Sequence, residues 1–202
     1  MVKDGRDLLR KTSELNYESN QIFLKYNTDL DFSPVPNKLR TYINVENQFE
    51  TLKLLHRAIP ESVVKPIALL KRRTRYGSQT FGFVMEFVDG KDMFELFELA
   101  TAVSRTKKVM RDFIVHFGKT TEIVRKIHEK GLAHGDLNTG NIMVTQSGRI
   151  KLIDPDPDLV DEGPYLNEAI AHDKYCLDHI EWLMRDNFTF ELVQSFLGPP
   201  KK

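Results

Sequence analysis

Apolar positions along the chain follow two spacings, and each predicts an element. IFLKY (residues 22–26) alternates apolar and polar around Lys25, the period of a strand. NTDLDFSPVPNK then carries prolines and turn formers and reads as a loop. From about Tyr42 to His56, Phe49, Leu52 and Leu55 (with Leu54) recur at helical spacing, and Pro60 stops that helix. VVKPIALLKRR and TFGFVMEFV are runs of β-formers separated by RYGSQ, which predicts an antiparallel strand pair. Between Thr106 and Lys130, the residues Met110, Phe113, Ile114, Phe117, Val124 and Ile127 mark one face of a long helix, and Gly131 stops it. NIMV and RIKLI are short strands joined by TQSG. A proline- and acid-rich loop spans Pro155 to Pro164, and a last helix runs from about Glu168 to Met184.

This order, strands with a helix and then mostly helices with a small hairpin, is α+β with two lobes. Asp89-Gly90 is a turn signal, which places the boundary near Val88 to Lys91. The reading is one domain over residues 1–202. A small antiparallel-sheet lobe occupies about 1–88, and a reduced helical lobe about 91–202. A cleft between such lobes is a usual ligand site.

Composition narrows the function classes. The chain has 202 residues and is 41% hydrophobic, enough for a core and against disorder. Its 29 Lys+Arg balance its 29 Asp+Glu, which argues against nucleic-acid binding through bulk charge. The single cysteine, Cys176, excludes an internal disulfide framework and a Cys-rich metal site. No apolar run approaches the ~18–20 residues of a membrane span. The opening MVKDGRDLLRKTSELNYESN lacks the apolar stretch of a secretory signal. The expectation is a soluble monomer with neither a nucleic-acid nor a membrane partner. Trp182 and the aromatic residues of EFVDGKDMFELFEL read as packing or lobe surface, and KRRTR (71–75) as a solvated strand end.

Candidate chemistry concentrates in HGDLNTGNIMV (134–144) and IKLIDPD (150–156). Together they resemble the catalytic and metal-binding loops of the protein-kinase-like superfamily, with its pattern His-x-Asp-Leu-x-x-x-Asn and a following aspartate. The matching residues are His134, Asp136, Leu137, Asn141 and Asp154. Phosphoryl transfer needs a carboxylate near the acceptor hydroxyl and hard oxygen ligands for nucleotide-bound magnesium. Asp136 fits the first role, as catalytic base. Asn141 and Asp154 fit the second. His134 is a loop-shaping residue in this reading.

The resemblance implies further roles, with ATP and Mg2+ as cofactors. Lys25 corresponds to the sheet lysine that holds the α- and β-phosphates, and Glu50 to its helix partner, with Glu46 as runner-up. Met85 would back the adenine pocket, while backbone groups of Glu86 and Val88 would bond adenine. Asp173 would support the catalytic loop. Several features depart from the pattern. Only Gly5 stands where a glycine-rich phosphate loop is normal. Asn138 replaces a common lysine, and Asp-Pro-Asp replaces Asp-Phe-Gly, adding Asp156. From Asp154 to Asp173 there is no Ser or Thr, and Tyr165 is the sole hydroxyl side chain. Only 48 residues follow Asp154, little for enclosing a small acceptor.

Small size, the cut-down segment after Asp154 and Asp-Leu-Asn-Thr-Gly-Asn are similar to minimal bacterial effector kinases, most of all the HopBF family. That resemblance implies type III secretion into a host cell and phosphorylation of the host chaperone Hsp90 on serine or threonine. Two alternatives stand beside it. Gly135 and the missing lysine at 138 also suit a small-molecule kinase of the aminoglycoside-phosphotransferase type. The pared phosphate loop suits a nucleotide-binding pseudokinase.

Overall fold

The computed structural model describes residues 15–17, 20–26, 38–74, 77–102, 107–156, 164–189 and 193–195. Gly5, most of the loop expected at NTDLDFSPVPNK and most of the acid-rich loop after Pro155 lie outside the described residues. Strands β1 (Leu15–Tyr17), β2 (Asn20–Tyr26), β3 (Pro66–Thr74) and β4 (Gly77–Glu86) form one sheet in the order β1-β2-β4-β3. Every pairing is antiparallel. The interior strand β4 carries the apolar run, and Phe83, Val84 and Met85 are all buried. Strand register sets Lys25 of β2 opposite Phe83.

Helix α1 (Lys38–Ala58) covers this sheet. Its Phe49, Leu52 and Leu55 are buried, as period-3.6 spacing demands, and the Phe49 and Phe83 rings meet with centroids 5.7 Å apart. The helix begins four residues before Tyr42 and ends ahead of Pro60. Strand β4 takes in Gly77, Ser78 and Gln79, so the β3–β4 turn is tighter than RYGSQ had implied.

After residues 87–89 the chain enters β5 (Gly90–Asp92), which pairs with β6 (Ile142–Thr145), itself paired with β7 (Ile150–Leu152). Gly90 is required there: a Cβ would stand 2.1 Å from the Val144 carbonyl oxygen. Helices α2 (Met93–Thr101), α3 (Lys107–Glu129) and α4 (Pro164–Asn187) complete the second lobe. On α3, Met110, Phe113, Ile114, Phe117, Val124 and Ile127 are buried. Gly131, at φ +70°, turns the chain out of that helix, its N–H bonded to the His128 carbonyl.

EFVDGKDMFELFEL, whose aromatic residues the sequence assigns to packing or lobe surface, holds β5 and most of α2. Asp92 caps α2 by accepting from the Glu95 N–H at 2.7 Å. Met93, Leu96, Phe97 and Ala100 form the inward stripe of α2, but Phe94 and Leu99, about half exposed, are apolar too and blur its outer face. Periodicity alone therefore misses it. Strand β1 was also unread; its three residues, LNY, are too few to carry an alternation.

Backbone bonds join the lobes beyond the 87–89 connection. Val63 and Leu152 form a parallel bridge. Val64 N–H donates to the Leu152 carbonyl at 3.0 Å, and Leu152 N–H to the Ser62 carbonyl at 2.8 Å. Among the described residues no helix is long and apolar enough to cross a membrane.

Candidate active site

The loop after α3 is fixed from beneath by one buried carboxylate. Asp173 of α4 is fully buried and accepts from the backbone N–H groups of His134, at 2.8 Å, and Gly135, at 2.9 Å. His128 Nε2 also lies 3.0 Å from it. Two bonds to consecutive amides hold the loop by its backbone and leave its side chains to point elsewhere. Gly135, at φ +80°, lets the chain turn there.

Three polar residues then converge. Asn141 Nδ2 donates to the Asp136 carboxylate at 3.0 Å and to the Asp136 carbonyl at 2.8 Å. Asn138 Nδ2 donates to the other carboxylate oxygen at 3.0 Å. Its Oδ1 accepts from the N–H groups of Gly140 and Asn141, which caps the helical turn Thr139–Asn141. Asp136 is thus oriented through both carboxylate oxygens. Asn138 drew notice in the sequence only as a missing lysine. Its signal was present in Asp-x-Asn-x-x-Asn, a spacing that lets one amide bridge backward and forward.

Asp154 sits just past β7 with a left-handed backbone, φ +62°. Its flanks are pinned to the same loop. Ile153 N–H donates to the Asn141 carbonyl at 3.0 Å, and Asp156 N–H to the His134 carbonyl at 2.9 Å. His134 Nε2 lies 2.8 Å from the Ile153 carbonyl. A carbonyl can only accept, so Nε2 carries the proton and Nδ1 is the acceptor nitrogen. Burial pushes the His134 imidazole below its ordinary range, against the pull of Asp173, the Ile153 carbonyl, Asp136 and Asp154.

From α1, Gln48 reaches this loop, a residue that no local pattern marks. Its Nε2 donates to Asp154 Oδ1 at 2.8 Å and to the Pro155 carbonyl at 3.0 Å. Glu50 is exposed and pairs with Lys53 at 2.7 Å. Glu46 accepts from the Thr80 hydroxyl and lies 3.2 Å from Lys71 Nζ. These contacts, the hydroxyl foremost, hold the Glu46 carboxyl below its usual range. The Lys25 side chain lies outside the described ones, so the structure places only its backbone.

Met85 is buried at the end of β4, and Val88 is half-buried. The Glu86 N–H donates to the Lys65 carbonyl at 2.8 Å, and its carboxylate receives the Lys65 N–H at 3.1 Å and Lys151 Nζ at 3.3 Å. Cys176 is half-buried, and burial pushes its thiol up.

Among the described residues, no group of three or more His, Cys, Asp and Glu side chains could hold a metal ion alone. The donor set still suits magnesium, which binds through one or two protein oxygens plus substrate phosphates. Asp154 offers a carboxylate. With its nitrogen on Asp136, Asn141 offers its amide oxygen.

A small antiparallel lobe, a reduced helical lobe and this loop pair define a minimal kinase-like α+β fold. The protein kinase domain pattern matches residues 38–156, and the chain belongs to that family. The match spans α1 through Asp156 and so includes every candidate site residue from Glu46 to Asp154. A curated relative, the serine/threonine-protein kinase PTK2 of Candida glabrata, is 28% identical over 141 residues. That alignment covers 69% of this chain, which spans 17% of the relative's length.

Proposed function

We propose that this chain is an ATP-dependent protein kinase acting on serine or threonine. The observation that carries this is the Asp136 carboxylate, oriented by the Asn138 and Asn141 amides. Asp136 takes the proton of the acceptor hydroxyl as its oxygen bonds to the γ-phosphorus. The bond from that phosphorus to the β–γ bridging oxygen breaks, and ADP leaves. Asn141 and Asp154 hold Mg2+, which neutralises phosphate charge when bound. Lys25 holds the α- and β-phosphates, with Glu50, or Glu46, as its partner. Met85 backs the adenine, which bonds to the Glu86 carbonyl and the Val88 backbone. His134 and Asp173 keep the loop in place. The serine/threonine class rests on similarity to the Candida glabrata serine/threonine-protein kinase.

The finer reading is a bacterial effector of the HopBF type, delivered by type III secretion, with host Hsp90 as acceptor. It is supported by the Asp-Leu-Asn-Thr-Gly-Asn resemblance and by the short stretch, lacking Ser and Thr, between Asp154 and Asp173.

Labelled ATP with magnesium, offered to purified Hsp90 and to a eukaryotic lysate, tests both levels. Transfer to protein is expected, dominated by a band at the mass of Hsp90. Asp136→Ala should lower the rate by about 10²–10⁴-fold, the range for a positioned base. Wild-type transfer by that variant would remove Asp136 from the role. Label on other proteins but not Hsp90 would keep the kinase and discard the effector target. ATP consumption with no labelled protein would favour a small-molecule acceptor.

A further inference from the structure

We infer that Gln48 is a positioning residue for the metal-ligand aspartate, tying helix α1 to the geometry of the cation site; this rests on the kinase reading above. Asp154 occupies an uncommon backbone position. It holds a left-handed backbone, φ +62°, a region that L-residues rarely adopt. The next residue is Pro155, which has no N–H to fix the turn. Backbone bonds reach Ile153 on one side and Asp156 on the other. Between them, the Gln48 amide donates two bonds, one to Asp154 Oδ1 at 2.8 Å and one to the Pro155 carbonyl at 3.0 Å.

One amide thus grips a side chain and the adjoining main chain together. It fixes both where the carboxylate sits and how it is rotated. Gln48 suits this chemically. A neutral donor adds no charge to compete with a cation, whereas lysine or arginine would. Its helix places it securely: Phe49, next in the chain, is locked against Phe83 of β4. Partners in the second layer of a metal site commonly set affinity or activity by about 10–100-fold.

The test compares wild type, Gln48→Met and Gln48→Asn. Methionine keeps length and helix propensity without a donor. Asparagine keeps the amide but falls one methylene short. Mn2+ is titrated into each protein with ADP and followed by electron paramagnetic resonance. ADP binding without metal and urea stability are measured alongside. Both variants are expected to bind Mn2+ about 10–100-fold more weakly. ADP affinity without metal should stay within about twofold, because the adenine contacts do not involve α1. The magnesium needed for half-maximal transfer should rise in parallel, with kcat at saturating magnesium retained. A merely structural glutamine would lower the urea midpoint and leave the Mn2+ constant alone, and that result would overturn the inference while leaving the kinase reading intact. Wild type that binds neither Mn2+ with ADP nor ADP itself would overturn the kinase reading, and this one with it. If Gln48→Met does not fold, Gln48→Asn carries the comparison.

Discussion

His134 is 1% exposed, and the proton on its Nε2 is committed to the Ile153 carbonyl. Its Nδ1 is buried with no partner. A second proton would need a charge where no acceptor waits, and that is why burial dominates its shift. The sign follows directly. Unfolded histidine titrates near pH ~6.5, and folded His134 does so at lower pH. Between those values the unfolded chain holds more protons, so stability is complete above pH ~6.5 and declines as pH falls below it. Urea midpoints measured from neutral to mildly acid pH should show that decline, and His134→Gln should flatten it by up to one proton. His116, also shifted down chiefly by burial, adds slope of the same sign, so the variant leaves part of it. An unchanged slope in His134→Gln would mean that His134 is charged in the folded protein. At this scale the signal is local where one short stretch holds its own partners, as Asp136 and Asn141 do, whereas Asn138 stands out in the sequence only as a missing lysine. Gln48 and Asp154 are 106 residues apart, and no spacing rule joins them.

Elements were legible in proportion to how fully their own residues dictate burial. Helices α1 and α3 bury regular stripes, and both were readable to within a few residues. Strand β5 has three residues, two of them charged, and exists because β6 offers an edge. Its formation depends on Gly90, whose missing side chain lets the backbone approach the Val144 carbonyl. Gly90→Ala is therefore expected to break the β5–β6 pairing. Overpacking of this kind costs about 1–3 kcal/mol, and more where the obstacle is backbone. Because β5 continues directly from residues 87–89, the adenine contacts proposed for Val88 should weaken with it, read as a raised KM for ATP. A urea midpoint equal to wild type would show that β5 can yield without cost and that the close approach does not fix its pairing.

Across the whole molecule, the question is what makes two lobes behave as one body. Beyond the covalent link, Lys151 of β7 supplies a buried cation, 8% exposed, with Nζ 3.3 Å from the Pro60 carbonyl, the Val63 carbonyl and Glu86 Oε2. It joins the segment after α1, the end of β4 and the strand leading to Asp154. Beside it runs the Val63–Leu152 backbone bridge. Parting the lobes would strand these groups, at about 1–3 kcal/mol for each buried acceptor or donor left unpaired. The lobes should then unfold together. Trp182, the chain's single tryptophan, stands on α4 of the helical lobe and reports that lobe alone, whereas circular dichroism reports both. In urea the two signals should coincide for wild type. Lys151→Met keeps most of the stem and removes the donor. It should lower the midpoint by an amount worth about 1–3 kcal/mol and pull the two signals apart. Coincident and unshifted curves in that variant would show that the backbone bridge and apolar packing couple the lobes without Lys151. Separated curves already in wild type would mean that the bridge and the cation together are too weak, and that each lobe is stable by its own core.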